Sequence, residues 1–111
     1  MSKRPIDLLL DDICEAIDRI EQYISGMSYD IFSNDRKTVD AVVRNLEIIG
    51  EASNRLPDDF KDKHTQIEWY KVVGLRRRIV HEYFGIDLKI VWQILQKDLP
   101  AFRDEISKIR G

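Results

Sequence analysis

The chain has 111 residues, 43 % of them apolar and 34 % charged, with a formal net charge of −2. That balance fits one domain over 1–111 with salt-bridged helical faces, and it excludes a globally basic nucleic-acid binder; contact with a polyanion needs a local patch. Cys14 is the single cysteine, which excludes a disulfide framework and a cysteine-based zinc site, and Leu8-Leu9-Leu10 is too short for a signal peptide or membrane span, so a cytoplasmic location is the expectation.

Ile6, Leu9, Leu10, Ile13, Ile17, Ile20 and Ile24 recur at spacings of three and four. They predict a first helix from about Pro5 to Ile24, with Pro5 in the first turn and Gly26 as the stop. Residues 27–34 read as a loop. Ser33, Asn34 and Asp35 offer N-cap oxygens for a second helix from about Asp35 to Leu56, built on Val39, Val42, Val43, Leu46 and Ile49 and ended by Pro57. Residues 57–68 read as polar and irregular, with at most one helical turn. A third helix is expected from near Glu68 to Tyr83–Gly85, carrying Trp69, Val72, Val73, Ile79 and Val80. A fourth opens at Asp87 and carries Val91, Trp92, Leu95, Leu99, Phe102 and Ile106; Pro100 is expected to kink or split it. The fold expected is an all-α, up-and-down bundle of four or five helices, which a dimer would help to stabilise.

The densest unusual segment is Arg76-Arg77-Arg78-Ile79-Val80-His81-Glu82-Tyr83. A guanidinium fork matches phosphate oxygens, an imidazole titrates near neutral pH, and a tyrosine stacks on a base or offers a hydroxyl. RNA cleavage without a metal needs these groups. His81 can take the 2′-hydroxyl proton or give one to the leaving 5′-oxygen, and Arg76 can hold the developing phosphorane charge. The plain alternatives are a solvated basic face for Arg77 and Arg78, a surface pair closing a helix end for Arg76 and His81, and a core aromatic for Tyr83. Glu51 is a candidate to orient Arg76, or an ordinary exposed glutamate. His64 and Glu68 have i,i+4 spacing but no further histidine pattern, so neither a metal nor another cofactor is expected.

On a regular helix Arg76 and His81 point about 140° apart. Uniting them takes converging side chains, a distorted helix end or two protomers. A two-fold dimer with facing segments is the arrangement expected.

The segment resembles the signature of the HEPN superfamily, and more closely that of HepT toxins: arginine, four residues, histidine, any residue, tyrosine. Arg76, His81 and Tyr83 fit that spacing. The surroundings resemble the family as well: Ile48-Ile49-Gly50-Glu51-Ala52 on the second helix, Trp69 before the motif, Tyr83-Phe84-Gly85-Ile86-Asp87 after it, and Val91-Trp92 with Asp98-Leu99-Pro100 on the last helix. The resemblance implies an α-helical homodimer or higher oligomer, acting as a metal-independent RNase with tRNA among its targets. It also implies a toxin–antitoxin pairing with an MntA-like minimal nucleotidyltransferase that transfers AMP to Tyr83. Arg77 departs from the family's usual small polar residue, commonly asparagine. That change points to an altered substrate grip or to an inactive HEPN module that binds the nucleotidyltransferase.

Overall fold

Two long helices, α1 (Ile6–Ile24) and α3 (Arg36–Arg55), pack along each other. The structure is a computed structural model, and it describes residues 4–81 and 85–111, with His81 as backbone alone. Pro5 sits at the N-cap of α1, where its carbonyl accepts from Leu8 N and Leu9 N. After Ile24 the chain turns through Gly26, whose φ of +76° is left-handed and suits glycine. Ile13, Ile17 and Ile20 of α1 and Val42, Leu46 and Ile49 of α3 are fully buried, as their spacing requires.

Residues expected to form a loop include a short helix, α2 (Tyr29–Ser33). The Ser28 hydroxyl caps it by accepting from Ile31 N at 3.2 Å. Phe32 anchors it, fully buried with its ring centroid 5.1 Å from that of Trp92. One turn is too short to show a period, so only the tertiary contact reveals it.

Asp35 caps α3 twice over: Oδ1 accepts from Thr38 N and Oδ2 from Thr38 Oγ1. These bonds hold its carboxyl below the usual carboxylate range, the backbone bond foremost. α4 (Asp58–Lys63) places acids in its first turn and lysines in its last, complementing the peptide dipoles. His64 follows it, its ring 4.7 Å from that of Phe60, and its carbonyl accepts from Trp69 Nε1.

The third helix is divided. α5 (Trp69–Val73) and α6 (Leu75–Ile79) meet at Gly74. The chain then becomes extended in β1 (Val80–His81), which pairs antiparallel with β2 (Gly85–Ile86). The last span comprises α7 (Leu88–Gln93), a π turn (Ile94–Asp98) and α8 (Leu99–Arg110). Asp87 caps α7, accepting from Lys89 N and Ile90 N. Pro100 acts on the turn before it. Leu99 N bonds to the carbonyl of Ile94, five residues back. A proline lacks the N–H for the next helical bond and crowds the carbonyl four residues earlier, so the widened turn absorbs the conflict without stopping the helix. Arg103 and Arg110 tie α8 to α1 through Asp18, Glu21 and Asp11.

The all-α expectation holds, with one two-residue strand pair added among the described residues. The helical material is divided more finely than four or five helices. No helix of the described residues is long and apolar enough to cross a membrane.

Candidate active site

Gly50 positions the segment that precedes the arginines. A Cβ there would lie 3.3 Å from the carbonyl oxygen of Val72 and 3.5 Å from that of Val73, so the end of α5 rests directly on α3. Leu75 and Ile79, four residues apart, are buried and anchor α6. The residues between them must point elsewhere. Arg76 and Arg77 are exposed, and among the described residues neither forms an ion pair or a side-chain hydrogen bond. Arg78 is half-buried, and its Nη2 donates to Asp98 Oδ2 at 2.7 Å.

The expected helix through Tyr83–Gly85 is corrected. α6 ends at Ile79, and Val80 is extended, with φ −103° and ψ 122°. Val80 pairs with Ile86 and His81 with Gly85. Asp87 N donates to the carbonyl of Ile79 at 2.7 Å, which ties the end of α6 to the start of α7. Gly85 has φ +77°, a conformation that side chains resist. Adjacent Ile79 and Val80 are β-branched and favour extended backbone. The 140° divergence of a regular helix therefore does not apply: His81 stands past the helix end, in a strand. Its side chain lies outside the described residues, as does the candidate modification site, Tyr83.

Glu51 does not meet Arg76. It is exposed on α3, and its Oε1 accepts from Arg55 Nη2 at 2.9 Å, one helical turn away. The i,i+4 partner on its own helix is nearer than any arginine of α6.

Two features escape sequence reasoning. One is Asp98 as the partner of Arg78. The other is a cleft of about 250 Å³ between α5–α6 and the π turn with α8. At its rim, Glu68 accepts from Lys71 Nζ and from the Tyr70 hydroxyl, which hold its carboxyl below the usual range, Lys71 foremost. Among the described residues no three histidine, cysteine or carboxylate side chains gather as a metal-ligand set.

The family described as Ribonuclease HepT-like matches residues 13–109. A protein of Thermococcus cleftensis named "Probable ribonuclease HepT" is 41 % identical over 101 residues, covering 91 % of this chain and 92 % of the relative. The Methanocaldococcus jannaschii protein named "Putative RNase MJ1380" is 39 % identical over 107 residues, covering 96 % of this chain and 98 % of the relative. No solved structure matches the chain.

Proposed function

We propose, from the premise that this chain belongs to the ribonuclease HepT-like family, that it is a metal-independent endoribonuclease toxin acting as a single domain over 1–111. Arg76 and His81 are its catalytic pair, and Arg77 and Arg78 grip the RNA backbone. An imidazole takes the 2′-hydroxyl proton as that oxygen bonds to the neighbouring phosphorus. A second imidazole gives a proton to the departing 5′-oxygen, and Arg76 offsets the charge on the phosphorane. The products are a 2′,3′-cyclic phosphate and a free 5′-hydroxyl. A two-fold dimer supplies both imidazoles as two copies of His81.

The observation that carries this reading is the pair of exposed cations Arg76 and Arg77, unpaired among the described residues, on a five-residue helix that passes straight into the strand containing His81. Substrates include tRNA. A minimal nucleotidyltransferase silences the enzyme by transferring AMP to Tyr83, since a bulky anion two residues from His81 repels RNA.

Incubation with RNA in EDTA tests the reading. Cleavage persists in the wild type and falls by roughly 10²–10⁴-fold in His81→Ala. An intact mass raised by AMP units on co-expression with the transferase, and unchanged in Tyr83→Phe, tests the modification. Intact RNA with retained transferase binding favours the second reading, an inactive HEPN module, for which Arg77 in place of the usual small polar residue is the supporting observation.

A further inference from the structure

The cleft of about 250 Å³ beside α6 has an apolar floor that includes Ile67, Val72, Leu75, Ile94, Leu99 and Phe102. We infer that it seats one unstacked base of the RNA strand and so sets base preference. The inference rests on the ribonuclease reading above.

Size is the first argument. Pockets for drug-sized ligands begin near roughly 300 Å³, so this one takes a single ring system and not the face of a partner helix. Chemistry is the second. Lys71, Arg78 and Lys97 stand at the rim with Glu68, Asp98 and Glu105. Asp98 engages Arg78 through Oδ2, leaving Oδ1 able to accept, and Lys97 forms no ion pair among the described residues. Base edges carry amino donors and carbonyl acceptors that match such a rim, while the ring faces suit the floor. A wholly apolar ligand would desolvate these charges without return.

Placement is the third argument. Leu75 and Arg78, three residues apart, both line the cleft from α6, while Arg76 and Arg77 are exposed on the rest of that helix. One short helix thus borders an apolar slot on one side and carries exposed cations on the other. A nucleotide within a strand has the same division, a flat ring joined to a phosphate. Single-strand binding commonly combines such a cationic track with ring contacts.

Methyl NMR of the wild-type chain tests this, following Leu75, Ile94 and Leu99. The probes are a 2′-O-methylated single-stranded oligonucleotide, free 5′-mononucleotides, and ribose 5-phosphate, which lacks a base. The oligonucleotide shifts these methyls and ribose 5-phosphate does not. Ala101, exposed on α8, also lines the cleft. Ala101→Trp fills the opening, abolishes the shifts, raises KM for RNA about tenfold and flattens base preference, with cleavage at saturating RNA retained. Lys97→Ala, which leaves the apolar floor intact, alters base preference in the same assay.

Methyls unmoved by the oligonucleotide overturn the inference, as do unchanged KM and base preference in both variants. Shifts from free mononucleotides with neither variant affecting cleavage assign the cleft to a free nucleotide and also overturn it. A wild-type chain that cleaves no RNA defeats the ribonuclease reading alone, because the methyl titration still decides whether the cleft takes a base.

Discussion

Arg78 reaches Asp98 across twenty positions of sequence, Nη2 to Oδ2, and so joins α6 to the π turn. The side chains are 36 % and 44 % exposed, so the pair adds less than about 1 kcal/mol to stability. Its larger consequence is electrostatic: Asp98 offsets the charge of Arg78, while Arg76 and Arg77 keep theirs. Each phosphate contact on a single strand contributes about 0.7 to the slope of log affinity against log salt. Arg77→Ala therefore lowers the slope by about that amount, Arg78→Ala lowers it less, and Asp98→Asn steepens it. Anisotropy titrations of single-stranded RNA over a salt series measure all three. Equal losses for the two arginines would show that Asp98 offsets nothing.

Gly50 sets two effects against each other. Alanine in a helix interior gains up to about 1 kcal/mol over glycine. Its methyl would sit 3.3 Å from a backbone carbonyl of α5, and overpacking costs about 1–3 kcal/mol. The carbonyl has little room to retreat, because Trp69 and Leu75 hold both sides of it in the core. Gly50→Ala is therefore net destabilising, and Gly50→Val more so. Denaturant unfolding gives the sign; a stabilised Gly50→Ala would mean that α5 shifts freely.

The elements legible in the sequence are those whose signals are local. Pro5, Asp35 and Pro57 mark the ends of α1 and α3, and the apolar stripes of both helices run for more than three turns. The break at Gly74 and the end of α6 at Ile79 were hidden because Trp69, Val72, Val73, Ile79 and Val80 keep a helical spacing through both. What divides them is tertiary: the seat of α5 on Gly50 and the bond from Asp87 N to the Ile79 carbonyl. In the candidate site, the residue types of Arg76 and Arg77 and their exposure could be read in advance. The pairing of Arg78 with Asp98 could not, since no periodicity relates residues on separate elements.

Asp35 makes acid stability testable. Its folded carboxyl lies below the ordinary value of 3.8, so the charged form is favoured by folding. The contribution is present above that ordinary value and is lost as pH falls through the folded one. Asparagine caps as well as aspartate and does not titrate. Asp35→Asn keeps the bond from Thr38 N but its amide nitrogen cannot accept from Thr38 Oγ1, so it is somewhat less stable than the wild type at neutral pH and loses less stability on acidification below the ordinary carboxylate value. Thermal unfolding across that window checks it; parallel wild-type and Asp35→Asn curves would remove the cap from the acid response.

Val80 and Ile86 are cross-strand partners, 43 % and 37 % exposed, and so neighbours on one face of the strand pair. Exposed β-branched side chains next to the arginine helix offer the apolar surface that a two-fold contact at this segment needs. In the double variant Val80→Lys, Ile86→Lys, like charges would face each other across the axis, and sedimentation at matched concentration should report a monomer. Two lysines directly opposed on one strand pair cost up to about 1 kcal/mol within each chain, so helicity is retained and the thermal midpoint falls only modestly. On the proposed mechanism cleavage is lost with the dimer, because a lone chain brings one imidazole where that mechanism uses two. A dimer that survives both lysines would move the interface elsewhere, and a monomer that cleaves at the wild-type rate would end the two-imidazole mechanism.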